Sequence, residues 1–408
     1  MRITGVRVRG VFDSRAEVTL EAEVTLDGAH TGRGSAPRAI APGRRERRRR
    51  EGAGLDLLRD PAAGPALARA LIGVRADEER DVDGLLDELH HAGEVDAEAT
   101  LAVSLAVARA LAAAYRLPLY ARLAQLAGTL PAMPRLLVNV FSGGIHLPGP
   151  ADSFQQVMVI PETGELVGDL VVACAVYAAA ERLARDGYGE PTLSASSGMV
   201  LPIDSAKQVA LLARAIRATG HAEVAAIGVD VAAEHLRGAP GNYRFAGREL
   251  PSAEFAGHLA ELAASCRLTY LEDPFDPADD QEWRDLRGAL PPATTVIGDD
   301  LFATDAERVD AGLAGGILLK PSQAGTVTGT LRAADAARKA GMVLAVSHRS
   351  GETEDTAICD IAVALGAELI KVGGPRRGDR LAKYNQLLRL AERVQPASTS
   401  LPATGVVS

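Results

Sequence analysis

The order of apolar and polar positions divides the chain into two unlike parts. Residues 2 to 34 alternate in the strand manner, with β-branched residues concentrated in Val6 to Val11 and Val18 to Leu26, and an Asp27-Gly28 pair follows the second run. This pattern predicts an antiparallel hairpin or meander. Ala36 to Gly54 contains Pro37, Pro42 and the run Arg44 to Arg50, interrupted only by Glu46, and reads as a loop leading into a polar segment. From Pro61 to Gly128 apolar residues recur at helical spacing, most clearly over Ala97 to Tyr115, so the first third is an α+β unit. From about residue 135 short β-rich runs alternate with longer helical patterns. The runs are Glu223 to Val229, Leu268 to Leu271, Thr294 to Ile297, Gly315 to Leu319, Met342 to Val346 and Glu368 to Ile370, with amphipathic stretches such as Thr326 to Ala340 and Thr356 to Leu365 between them. Repeated βα units imply a parallel sheet with crossover helices, and six or more in series favour a closed barrel over an open sheet.

Composition narrows the class. With 408 residues, 47% hydrophobic and 24% charged, the chain holds two or three globular units or one barrel with an appendage, and disorder and fibrous repeats are excluded. A net charge of −9 argues against a general nucleic-acid-binding surface. Cys174, Cys266 and Cys359 stand singly among apolar residues and read as core thiols of a reducing compartment. The opening MRITGVRVRG lacks the apolar centre of a signal peptide, and no uninterrupted apolar run approaches the roughly 20 residues that span a bilayer. A cytoplasmic protein without membrane contact is therefore expected. LPATG at Leu401 to Gly405 resembles a sortase signal but has no hydrophobic stretch after it, and residues 395–408 are expected to form a disordered tail. Of 44 basic residues only Lys207, Lys320, Lys339, Lys371 and Lys383 are lysine. A lysine that follows a strand pattern in so arginine-rich a chain suggests a need for a compact ammonium with tunable proton affinity.

Each β-rich run ends in chemistry. The first ends in Asp230, the second in Glu272-Asp273, the third in Asp299-Asp300, the fourth in Lys320, the fifth in Ser347-His348-Arg349-Ser350 and the sixth in Lys371. In a β/α barrel the C-terminal strand ends converge on one mouth. A single Asp at a strand end is more often a helix cap than a ligand, but this succession in six consecutive units exceeds what capping explains. Three carboxylates in one dry pocket require a cation, and an all-oxygen donor set suits Mg²⁺. Lysines beside such a metal are expected to lose proton affinity. One of Lys320 and Lys371 then acts as a general base, and the other stays charged to stabilise an enolate. Abstraction of a proton α to a carboxylate needs this equipment.

Long segments carry a family resemblance. ILLKPSQAGTVTGT, VSHRSGETEDT and IKVGGPRRGDRLAKYNQLLRL look like signature segments of enolase, while IGVDVAA, LEDPF and IGDDLFAT are similar to its metal-ligand segments. FDSRAEVTLEAEVTL and LAVSLAVARALAAAYRLPLY extend the resemblance to the front of the chain. It implies an α/β protein with an N-terminal α+β capping domain over residues 1–130 and a modified (β/α)₈ barrel of the TIM type over 131–394, usually a homodimer. It also implies that Asp230, Glu272 and Asp299 hold Mg²⁺, that Lys320 is the base and that Lys371 stabilises the enolate. Arg349 and Ser350 would grip the phosphate of a small three-carbon acid, with His348, His146 and Gln155 nearby.

Departures from the family pattern are as informative. Where enolases carry the acids that release the 3-hydroxyl as water, this chain has Gln156 and, by alignment, Ser197; neither side chain is a competent general acid at neutral pH. Ala41 replaces the mobile-loop serine that helps seat a second metal. The leading expectation is therefore an Mg²⁺-dependent enolase relative, lyase or transferase, that acts on 2-phosphoglycerate or phosphoenolpyruvate in phosphonate biosynthesis. In that reading, which resembles carboxyphosphonoenolpyruvate synthase, a phosphonate or nucleotide-activated phosphonate is the second substrate, and Arg44, Arg45 and Arg47 to Arg50 are candidates to hold it. The alternatives are a genuine phosphopyruvate hydratase and a non-catalytic enolase-fold binding protein.

Overall fold

The computed structural model describes residues 1–40, 43, 45, 46, 56, 58, 65–77, 79–144 and 153–394. Strands β1 (Ile3–Phe12), β2 (Val18–Leu26) and β3 (His30–Ser35) form an antiparallel meander. Asp27 and Gly28, with φ of 49° and 69°, make the tight turn after β2, where both central residues must have positive φ. Leu20, Ala22, Val24 and Leu26 alternate inward along β2 and meet the helix Ala97–Ala114. A Cβ added to Gly32 would lie 2.1 Å from the Ala106 carbonyl oxygen, and one on Gly34 would lie 2.6 Å from that of Ala102. Only glycine lets β3 approach the helix so closely. By length and composition Ala97–Ala114 could cross a membrane, but 78% of it is buried inside the protein. The barrel-side helix Val327–Lys339 touches it, with Val327 N donating to Ser104 Oγ at 2.9 Å.

The barrel contains β4 (Arg135–Ser142), β5 (Gln156–Pro161), β8 (Ala225–Asp230), β11 (Leu268–Glu272), β12 (Thr295–Gly298), β13 (Gly316–Leu319), β14 (Val343–Ser347) and β15 (Leu369–Gly373). They neighbour one another in that order, and β15 pairs with β4 to close the ring. The hairpin strands β6 (Thr192–Leu193) and β7 (Met199–Val200) extend from β4, while β9 (Asn242–Phe245) and β10 (Arg248–Pro251) pair separately. The six β-rich runs read from the sequence coincide with β8 and β11 to β15. The uniformly parallel sheet does not hold, because β5 runs antiparallel to both β4 and β8. Its residues are buried throughout, so a β5 of either direction has the same apolar pattern. Leu137, Met158, Ile160, Ala226, Tyr270, Ile297, Leu318, Ala345 and Leu369 belong to one buried cluster contributed by all eight barrel strands, a filled interior that holds the strand ends at fixed spacing.

The N-terminal layer is bolted to the barrel near its mouth. Arg109 donates to both carboxylate oxygens of Asp355, at 2.6 and 2.7 Å, and Thr328 N donates to Asp83 at 2.8 Å. Gly32→Ala, which places a methyl group inside contact distance of a helix carbonyl, is expected to destabilise the protein by about 3 kcal/mol. Guanidinium unfolding checks this, and a loss below roughly 0.5 kcal/mol would show that β3 can move off the helix freely.

Candidate active site

The closed barrel brings the strand-end residues together. Asp230 and Glu272 are the last residues of β8 and β11 and are paired in register. Asp299 follows β12, Lys320 follows β13, His348 to Ser350 follow β14, and Lys371 lies within β15. A cavity of about 60 Å³ is lined by Asp230, Asp299, Lys320, His348, Arg349, Ser350 and Lys371, together with Ala39, Ile40, Gln155, Gln156, Ser196 and Ser347. Glu272 lies beneath it, bonded to Lys371. Larger clefts of about 530 and 670 Å³ occur at the opposite end of the barrel and beside the N-terminal sheet, away from this convergence.

Charge balance organises the site. Lys371 Nζ bonds Asp230 Oδ2 at 2.8 Å and the two oxygens of Glu272 at 2.9 and 2.8 Å. Lys320 Nζ bonds Asp299, and the phenol of Tyr270 donates to Glu272 at 2.6 Å. Asp273, at a φ of 40°, accepts the backbone N–H groups of Asp299 and Asp300 at 2.8 and 2.9 Å; it braces the turn that presents Asp299. The carboxyls Glu46, Asp230, Glu272, Asp273, Asp299 and Asp300 thus share the cations Lys320, Arg349 and Lys371. Three carboxyls exceed the cations, and three have raised proton affinity. Burial, reinforced by Asp230, pushes Glu272 up to about 8; burial and Asp299 push Asp300 up to about 7 and Asp273 well above the carboxylate range.

Both lysines are held in their charged form by the carboxylates they touch. Burial draws both downward, but Asp299 beside Lys320, and Asp230 and Glu272 beside Lys371, override it and hold both above the ordinary lysine value. The ammonium groups are counter-ions to these carboxylates. The residues fit Mg²⁺ by donor chemistry, since all are hard oxygens, and by the stand-in cation: Lys371 Nζ already occupies a point shared by Asp230 and Glu272. Among the described residues, the acid oxygens that gather three at a time within 4.8 Å of one another are instead those of Asp273, Asp299 and Asp300, a cluster accounted for by the brace that Asp273 forms.

The remaining candidates separate. Ser350 Oγ accepts from Ile40 N at 2.8 Å, which ties the N-terminal loop to the mouth. Arg349 is engaged by Glu46, whose two oxygens each lie 2.8 Å from Nη2. Arg380 donates to His348 Nδ1; burial and the Arg380 charge push His348 far below the usual histidine range, so it presents a neutral ring. Gln156 is buried, and its Oε1 has no partner among the described residues. Ser196, rather than Ser197, lines the cavity. Ser197 adopts a positive φ of 61° and donates its hydroxyl to the Arg376 carbonyl at 3.0 Å, so the left-handed turn carries it away from the mouth. Arg45 donates to the Leu301 and Pro277 carbonyls at 2.6 and 3.1 Å and fastens the loop to the rim instead of facing the cavity. His146, Ala41, Arg44 and Arg47 to Arg50 lie outside the described residues. Sequence reasoning missed Glu46, Gln323 and Ser196; the signal for Glu46 was its position as the lone acid in an arginine run.

Lys371→Met leaves Asp230 and Glu272 buried without their cation. A loss of about 3–5 kcal/mol is expected in metal-free protein at pH 9, shrinking toward pH 6 as one acid takes up a proton. Added Mg²⁺ should raise the melting temperature of the variant more than that of the parent. A variant as stable as the parent at pH 9 would contradict this charge balance.

Comparison with known proteins agrees with this geometry. Residues 3–123 match the family described as "Enolase, N-terminal domain" and residues 130–400 match "Enolase, C-terminal TIM barrel domain". The protein named "Enolase" from Tropheryma whipplei (strain Twist) is 34% identical over 410 residues, covering 96% of this chain and 95% of the relative. "Enolase" from Methanococcus maripaludis is 32% identical over 408 residues, with the same shares covered. With both domains matched and the identity spread over nearly the whole length, this chain belongs to the enolase family.

Proposed function

We propose that the protein catalyses the enolase reaction, the interconversion of 2-phosphoglycerate and phosphoenolpyruvate, and that its proton-abstraction half outpaces its water-elimination half. The observation that carries this reading is the convergence of Lys320 and Lys371 on buried Asp230, Glu272 and Asp299, with Arg349 and Ser350 on the same cavity. The relatives named "Enolase" support it over the phosphonate-joining expectation. Of the arginines proposed to hold a second anion, Arg45, the one among the described residues, is turned to the rim and away from the cavity.

In this reading Arg349 and Ser350 bind the phosphate and orient C2 toward Lys320. Asp230, Glu272 and Asp299 would hold Mg²⁺, which supplies positive charge for the substrate carboxylate as it becomes an enediolate. Lys320 first gives its ammonium proton to solvent, and the neutral Nζ then takes the C2 proton. Lys371 keeps its proton and faces the developing oxyanion. Neutral His348 adds a polar wall without contributing charge. Gln156 and Ser196 can hydrogen-bond a departing hydroxyl but cannot protonate it. A missing acid lowers the elimination step by about 10² to 10⁴.

With Mg²⁺ and 2-phosphoglycerate in deuterated water, exchange of the C2 proton should exceed phosphoenolpyruvate formation by about 10²-fold or more. Lys320→Ala should abolish both. Exchange and elimination at equal rates would show that a competent acid operates, and no exchange by the parent protein would favour a binding role.

A further inference from the structure

Arg349 is held from two directions. Ser322 Oγ accepts from its Nη1 at 3.2 Å, and Glu352 accepts from its backbone N–H at 2.9 Å. Its Nη2 is taken by both carboxylate oxygens of Glu46, from a turn about 300 positions earlier in the chain. In this ion pair the side chains are 6% and 9% exposed, so it is a buried contact and not a solvated surface pair. Three further features hold the carboxylate there. Gly43 N donates to Glu46 Oε1 at 3.1 Å, and the Glu46 N–H returns to the Gly43 carbonyl at 3.1 Å. Gln323 Nε2 lies 3.3 Å from the same oxygen and 3.3 Å from Asp299. Its amide is oriented by Thr304, which donates to Gln323 Oε1 at 2.7 Å. Glycine at 43 leaves room for the Asp300 side chain: a Cβ there would lie 2.5 Å from Asp300 Oδ1 and would push that carboxyl aside.

The neighbourhood is otherwise unfavourable for another acid, since Asp299 and Asp300 are close by. Burial pushes Glu46 upward, yet Arg349 and Lys320 more than offset it and keep the carboxyl below its ordinary range. A charged carboxylate on the anion-gripping arginine therefore sits where an incoming oxyanion must bind.

We propose that Glu46 is an affinity-setting internal competitor: its carboxylate occupies the anion slot of Arg349 as an internal ligand and must be exchanged for the phosphate of the substrate. This rests on the reading of Arg349 as the phosphate-gripping residue. The exchange swaps a monoanion for a phosphate that carries nearly two charges and three acceptor oxygens. A substrate phosphate can outcompete Glu46, whereas a simple carboxylate, which matches Glu46 in charge and geometry, gains nothing by replacing it. The internal ligand thus weakens all anions by the same occupancy factor and leaves only the stronger ones bound at working concentrations. It also spares Arg349 the cost of being buried without a partner.

The test is calorimetric titration of inorganic phosphate, and separately acetate, into the parent protein, Glu46→Gln, Arg349→Met and the double variant, with thermal melting in parallel. If Glu46 fills the slot at least nine-tenths of the time, Glu46→Gln should bind phosphate about tenfold or more tightly, because apparent affinity scales with the open fraction. The same variant should bind acetate measurably where the parent does not, and both effects should vanish in the double variant. Phosphate should also raise the melting temperature of Glu46→Gln more than that of the parent, a readout that survives if the variant is only marginally folded. Glu46→Asp, which keeps the charge but shortens the reach, should fall between the two. Unchanged or weaker phosphate binding by Glu46→Gln, with binding still lost in Arg349→Met, would overturn the proposal and leave Glu46 a structural brace. Phosphate binding that persists in Arg349→Met would overturn the phosphate-gripping reading itself, and the proposal with it.

Discussion

Everything at the barrel mouth depends on the electrostatics of too many carboxyls in too little water. Glu46, Asp230, Glu272, Asp273, Asp299 and Asp300 crowd around three cations, and none of the nine groups is well hydrated. Buried charges of one sign are tolerated only when opposite charges, hydrogen-bond donors or protons answer them. Here all three answers are present. Lys371 answers Asp230 and Glu272, Lys320 answers Asp299, and Arg349 answers Glu46. Backbone N–H groups answer Asp273, and raised proton affinity covers the remainder. The excess of hard oxygen donors suits a divalent cation by its chemistry.

The scaffold supplies the rigidity this balance requires. Asp230 and Glu272 stay opposite one another because β8 and β11 are in register and the barrel interior is packed solid. The N-terminal layer matters for a different reason: it delivers Ile40 to Ser350 and Glu46 to Arg349. The Arg349 end of the cavity is thus built by both halves of the chain, while Asp230, Glu272 and Asp299 belong to the barrel alone.

Much of this was legible in the sequence. Strands β8 and β11 to β15 announce themselves as short apolar runs at one-unit spacing, and the residues at their ends carry the chemistry, because a barrel places its strand ends at one mouth. What was not legible has physical causes. The direction of β5 leaves no trace in a strand buried on both faces. Ser196 and Ser197 are adjacent and chemically alike, and only the backbone turn decides which one faces the cavity. Glu46 is masked twice, by the arginines around it and by a partner that only the tertiary fold brings near. The proton affinity of the lysines could not be read from residue types, since it depends on which carboxylate each ammonium touches.

The central claim is that protons and ammonium groups hold the acid cluster in balance until a divalent cation enters. The most direct measurement is calorimetric titration of Mg²⁺ into the metal-free protein at pH 7 in two buffers of different ionisation enthalpy, which gives the number of protons released on binding. With Glu272 raised to about 8 and Asp300 to about 7, release of about one proton per Mg²⁺ is predicted. Tight binding with no proton release would show that the acids are already fully ionised and would contradict the account.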